Sequence, residues 1–322
     1  MRDMRVATRL RLVALVFAGL LTACQTAPQS RQLTSNWPQS LPDAAVVADV
    51  PFFPQELYQC GPAALATALG ASGVSVHPDA LVDQVFVPGR QGSFQIEMVA
   101  TGRSYNRLVY TIEPSLSALL TEVANGNPVL VLQNLGLDSL PQWHFAVVKG
   151  FERASSELVL NSGVIEDYRV ALTVFERTWA RAEHWGITLP EPGEIPATAR
   201  FDRVLQSLVD LENTSGDFVV LSEYYRAAIN RWSEEPELRM GYANLQLGND
   251  FYREAANSYE QIVLLRPEYA PAHNNLAHAL IELGELDEAA YHAEQAVRFG
   301  GEFKEIYANT LQQITRARAA QR

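Results

Sequence analysis

The stretch Pro190-Glu-Pro-Gly-Glu-Ile-Pro196 most constrains how this chain folds. Three prolines and a glycine so close together can neither continue a helix nor sit inside a sheet, and the sequence changes character across them. Before the stretch, helix-like and strand-like segments alternate. After it, only helical patterns appear. A length of 322 residues fits two domains on either side of such a break. The expected division is a folded domain over 46–192, a linker over 193–199 and a helical domain over 200–322. Composition adds one exclusion: a formal net charge of -12 leaves no basic face for a nucleic-acid partner.

The first domain reads as helices followed by strands. Helices are expected from Cys60 to about Leu69, over Asp79–Val85 and Gln95–Ser104, from Ser115 to Asn125, and from Thr173 to Arg181. Strands are expected around Arg107–Ile112, at Val129–Leu132, Phe145–Val148 and Leu158–Leu160, and at Trp185–Leu189. Apolar runs of this length bounded by turn residues are typical of buried strands, so the domain is expected to be α+β with an antiparallel sheet.

Chemistry-bearing residues fall at the ends of these elements. Cys60 starts a helix whose first turn contains Pro62 and whose body is Ala- and Leu-rich. The positive end of the helix dipole there favours a thiolate. Gln55, five residues upstream, can offer its amide to an oxyanion. His144 stands where one strand begins and Asn161 where the next ends, so a hairpin of the two strands is expected to make them neighbours. Cys60 as nucleophile, His144 as base and Asn161 as orienting group form the logic of a thiol hydrolase. His184 is a rival base in the same domain, and His77 lies in a Val-His-Pro loop. A small buried cysteine on an apolar helix face is the bland alternative for Cys60. Neither a cofactor nor a metal is expected, since no second cysteine or close histidine pair accompanies Cys60 in this domain.

At the N-terminus, Arg2, Arg5, Arg9 and Arg11 precede the apolar run Leu12–Leu21, which is short for a membrane span and reads as an export signal. Its end, Leu21-Thr-Ala-Cys24, resembles the lipobox of bacterial lipoproteins. That resemblance implies a signal peptide over 1–23, lipidation of Cys24 and attachment to a membrane through the lipid. Gln25 after the cysteine implies the outer membrane of a Gram-negative envelope, facing the periplasm. The polar, proline-bearing stretch over 24–45 is expected to act as a tether. With Cys24 lipidated, Cys60 would have no partner for an intramolecular disulfide.

Taken together, Asp49-Val-Pro-Phe-Phe-Pro-Gln55, Cys60-Gly-Pro-Ala-Ala-Leu-Ala66, His144-Phe-Ala-Val-Val-Lys-Gly-Phe151 and Leu158-Val-Leu-Asn161-Ser-Gly163 resemble the papain-like cysteine peptidases related to the double-glycine leader peptidases of bacteriocin processing, the C39-like group. The resemblance implies a papain-like fold over about Val46–Leu189, with Cys60 as nucleophile, His144 as base, Asn161 as orienter and Gln55 as oxyanion donor. The leader peptidases usually carry Asp in the third role. The chain has neither a multispan membrane region nor a phosphate-binding loop of the Gly-x-x-x-x-Gly-Lys-Ser/Thr type, so a transporter's leader cleavage is not implied.

The helical half repeats. Ala255, Tyr259, Ile262 and Val263 recur 34 residues later as Ala289, Ala293, Ala296 and Val297, the tetratricopeptide period. An offset of 36 from Leu247-Gly248 to Leu283-Gly284 suggests two extra residues around Asn249–Phe251. About three helical hairpins are expected, the first over Phe201–Glu212 and the helix of Tyr224 to Arg231, with Phe303 to about Arg316 as a cap. Such stacks offer a groove to a protein partner, and His273, His278 and His292 are expected at the groove or surface. The combined expectation is a lipid-anchored thiol peptidase with a recruiting module. The alternatives are a catalytically silent adaptor acting through its repeats, and a thiol acyltransferase using the same three residues.

Overall fold

The structure, a computed structural model, describes residues 27–55, 59–87, 89 and 92–320. The proposed signal peptide and Cys24 therefore lie outside the described residues. The first half holds helices α1 (Pro28–Ser35), α2 (Cys60–Ala71), α3 (Pro78–Val85), α4 (Gln95–Ser104), α5 (Leu116–Ala124) and α6 (Leu172–Ala180). They surround a seven-stranded sheet of β1 (Ala44–Val46), β2 (Tyr110–Thr111), β3 (Val129–Asn134), β4 (Trp143–Glu152), β5 (Glu157–Ser162), β6 (Ile165–Ala171) and β7 (Gly186–Thr188). All the pairings are antiparallel, in the order β2-β7-β3-β4-β5-β6, and β1 joins β4 where β3 leaves off.

The central strands are apolar throughout because both faces of the sheet are covered. Leu130, Leu132, Phe145 and Val147 face α2, while Val129, Val131, Ala146 and Val148 pack with residues of α5 and α6. Helix α2 lies inside the domain, with every residue from Gly61 to Leu69 buried, as a helix apolar on all sides must be. Gly61 is required by a close approach: a Cβ there would stand 2.1 Å from Ser93 Oγ.

Three expectations change. The segment read as a tether is part of the fold: the N–H groups of Gln29 and Ser30 and the Ser30 hydroxyl all donate to the buried Glu176 carboxylate, at 2.9, 2.7 and 2.6 Å. The open N-terminus of α1 supplies donors that a buried carboxylate needs, and Leu33 anchors the helix below. Strand β6 has no counterpart in the sequence reading. It is an edge strand, exposed nearly throughout and carrying Glu166, Asp167 and Arg169, so no apolar alternation marks it. Third, the repeat is regular.

Helices α7 (Phe201–Thr214), α8 (Phe218–Arg231), α9 (Pro236–Gly248), α10 (Tyr252–Leu265), α11 (Ala270–Glu282) and α12 (Leu286–Phe299) form three hairpins, with α13 (Lys304–Ala320) following. Gly216, Asp250 and Gly284, spaced 34 residues apart, each adopt positive φ at the inter-helix turn. The extra two residues inferred near Asn249 do not exist. Asp250, which tolerates the left-handed conformation, stands where the other turns use glycine, and its disguise shifted the alignment.

The proline-rich junction is held on both sides. Glu122, fully buried in α5, accepts from the Ala197 and Thr198 N–H groups and from the Thr198 hydroxyl. Tyr224 of α8 donates to the Pro190 carbonyl at 2.7 Å and accepts from Leu108 N–H. Val204, Leu208, Leu211 and Leu221 belong to the same apolar cluster as Val131 and Phe175. The first hairpin is therefore built onto the sheet domain.

Candidate active site

Cys60 opens α2, and His144 is the second residue of β4. Both line one cavity of about 880 Å³, together with Gln55, Ser93 and Trp143. No hydrogen bond joins the cysteine to the imidazole. Burial pushes the Cys60 thiol up from its ordinary value, against the opposing pull of the Phe145, Gly61 and Cys60 backbone N–H groups. Burial also pushes the His144 imidazole down. Both shifts favour the uncharged forms, a neutral thiol and a neutral ring. The thiolate expected from the helix dipole is outweighed by desolvation.

The imidazole is held by a residue that the sequence reading did not select. His144 Nε2 lies 2.9 Å from Ser162 Oγ. With Nε2–H donated to Ser162, Nδ1 is the nitrogen left to accept a proton. Asn161 lies on the other side of β5. It stands opposite Val147, donates from Nδ2 to the Pro51 carbonyl at 3.1 Å and accepts from Asp167 N–H. The β4–β5 hairpin expected from the sequence does form, but its register shifts by one residue between Val148 and Gly150. Such a bulge exchanges the faces of everything beyond it. Without the bulge, Asn161 would oppose Val148 and share the face of His144; with it, Ser162 takes that face. The extra residue is Lys149, nearly buried and paired through Nζ with Asp167 at 2.6 Å.

Asn161 instead fixes the segment leading to Cys60. Its bond to Pro51, and that from Gln55 N–H to the Gly163 carbonyl at 3.1 Å, clamp this segment to the β5–β6 turn and hold Gln55 at the cavity. The other candidate bases lie elsewhere. His184 stands edge-on to Trp179 and within 3.3 Å of the Gln29 amide. His77 accepts from Asp79 N–H at the start of α3. Ser93, whose hydroxyl is buried at the cavity without a partner, carried no sequence signal beyond its closeness to Gly61 in the fold.

A helix-borne cysteine and a strand-borne histidine facing one cavity, on a scaffold of helices and antiparallel sheet, put this half of the chain in the class of papain-like cysteine-peptidase folds. Residues 47–186 match the model of the Peptidase_C39 like family. Among solved structures, a putative C39-like peptidase from Bacillus anthracis is similar, with 17% identity over 47% of this chain and 98% of its own and a TM-score of 0.40. The helical half resembles tetratricopeptide proteins. One is the second such domain of human RPAP3, solved with an HSP70 peptide, at 22% identity, 34% of this chain, 92% of its own and TM-score 0.32. Another is the Yersinia enterocolitica secretion chaperone SycD, at 21% identity, 35% of this chain, 93% of its own and TM-score 0.33. No curated protein matches the chain.

Proposed function

We propose that the protein is a thiol peptidase acting on peptide or protein substrates. The observation that carries this reading is the shared cavity of Cys60 and His144, with the ring held from behind by Ser162. As the Cys60 sulfur attacks a scissile carbonyl, its proton passes to His144 Nδ1. The Gln55 amide and the Cys60 backbone N–H stabilise the developing oxyanion. The C–N bond then breaks, and the imidazolium returns the proton to the leaving amine. Water, deprotonated by the same nitrogen, attacks the thioester, releasing the new carboxyl terminus and restoring the thiol.

In this proposal the export signal and Cys24 attach the enzyme to the envelope of a Gram-negative cell, at the outer membrane facing the periplasm. Because Ala27, three residues beyond Cys24, is buried in the fold, the catalytic domain would ride close to the lipid. Among the described residues no helix is long and apolar enough to cross a membrane. The helical hairpins recruit a substrate or a protein partner. The test compares new protein termini in the envelope proteome of cells carrying wild type or Cys60→Ala. Termini present only with wild type are expected; identical sets would favour an adaptor. Direct analysis of Cys60-dependent products separates hydrolysis, which leaves a free carboxyl end, from acyl transfer, which leaves a new amide.

A further inference from the structure

Among the described residues that line the cavity of Cys60 and His144, one is an arginine. Arg181 caps the C-terminal end of α6 and reaches across to β3, where its Nε donates to the Asn134 carbonyl at 3.0 Å. Asn134 pairs with Trp143, and Gln133 with His144, so the guanidinium is pinned one residue along the sheet from the imidazole. Asn134 is itself fixed, because its side-chain oxygen accepts from the Gly136 and Gln142 N–H groups. The bond through Nε leaves both terminal nitrogens of Arg181 uncommitted among the described residues. Arg103, Arg153 and Arg169 each meet a carboxylate, whereas Arg181 meets none there. The negative end of the α6 dipole accounts for a cation at this position, but not for its facing the cavity half-buried and without an acid in a chain of net charge -12. Glu183, the one carboxylate among the described lining residues, is exposed.

We propose that Arg181 is a specificity residue that binds an acidic side chain of the substrate close to the bond to be cut. This assignment rests on the peptidase reading and adds the substrate class to it. The planar fork of arginine matches a carboxylate in two parallel hydrogen bonds, and the terminal nitrogens left free by the Asn134 bond are the ones such a pair uses. Leu132, Trp143 and Phe145 give the cavity an apolar wall, which strengthens a charge pair formed beside it. The Gln95 and Gln142 amides suit neutral peptide groups on either side. A volume of about 880 Å³ leaves room for more than one substrate residue, and an extended chain advances about 3.4 Å per residue. A carboxylate on Arg181 therefore belongs to a residue within about two positions of the carbonyl at Cys60.

Two measurements on the full chain test it. The first is the ratio of the rates at which iodoacetate and iodoacetamide alkylate Cys60 at low salt. Both reagents need the same thiolate, so a change in the thiol's acidity cancels and the ratio reads the pull on the carboxylate of iodoacetate. It should fall about threefold or more in Arg181→Gln and largely return in Arg181→Lys. Arg253→Gln, which alters an exposed arginine paired with Glu285, should leave it unchanged. The second is the map of cuts in a proteome-derived peptide library. Wild type should cut with Asp or Glu enriched within about two residues of the cut; Arg181→Gln should lose that enrichment, and Arg181→Glu should exchange it for Lys or Arg. The wild-type map needs no variant, so the proposal stays testable if Arg181→Gln fails to fold. Cuts without acidic enrichment, enrichment that survives Arg181→Gln or is confined to a peptide's own carboxyl end, or an alkylation ratio unchanged in Arg181→Gln would overturn the assignment while the peptidase reading stands. A wild type that cuts nothing would overturn the peptidase reading instead, and the alkylation ratio alone would then decide whether Arg181 draws an anion to Cys60.

Discussion

At the scale of single residues, the side chain that meets the His144 ring is a hydroxyl and not a carboxylate. Ser162 fixes the His144 ring but brings no negative charge, so nothing offsets the burial that keeps the imidazole neutral. Alkylation of Cys60 by iodoacetamide should therefore rise with pH through the thiol's raised range and show no plateau at mildly acidic pH; an acidic plateau would mean a preformed thiolate-imidazolium pair. Ser162→Asp reverses the balance, because a carboxylate beside the ring raises its pKa. Alkylation at mildly acidic pH should then increase over wild type, and an unchanged rate would remove Ser162 from its positioning role. Asn161→Ala is expected to act differently. It leaves the Pro51 carbonyl without its partner and should lower stability by about 1–3 kcal/mol, read as a shift in the denaturation midpoint. That Cys60, His144 and Gln55 come to one cavity was legible because helix starts, strand ends and a short upstream spacing are sequence properties. The choice between Asn161 and Ser162 was not, because it turns on a one-residue bulge at Lys149 that no local pattern announces.

At the scale of elements, α2 is the buried axis, and its fit to the loop before α4 is tight. Gly61→Ala sets a Cβ 2.1 Å from Ser93 Oγ and should destabilise the domain by about 1–3 kcal/mol, the usual cost of overpacking. Adding Ser93→Gly should restore much of the loss, and thermal unfolding of the single and double variants reads the coupling. In the repeats, His273, expected at the groove or surface, is buried. Its Nδ1 lies 3.0 Å from His292 Nδ1, and its Nε2 meets the Pro267 carbonyl. Burial, then His273, holds His292 down to about 4 from its ordinary 6.5. A depressed histidine contributes stability that is complete above 6.5 and lost as pH falls toward 4. Thermal unfolding should thus weaken over that interval, and His292→Gln should remove part of the dependence. Helix periodicity made these elements readable, whereas the edge strand β6 and the turn at Asp250 were hidden by charge and by the absence of glycine.

At the scale of the whole molecule, two regimes of sequence become one connected body. The proline-rich junction was visible as a boundary, but not its anchoring by Glu122 and Tyr224, which come from elements on either side of it. Cutting the chain after residue 199 would bare the part of the sheet-domain core that Val204, Leu208 and Leu211 cover; the shortened chain should aggregate, whereas one ending after α8 should stay soluble, as size-exclusion chromatography would show. The proposed cleavage takes place in the cavity of Cys60 and His144. The most direct test is mass spectrometry of a proteome-derived peptide library incubated with the purified full chain. New peptide ends are expected with wild type and none with Cys60→Ala or His144→Ala. Product sets that are indistinguishable among the three proteins would contradict it.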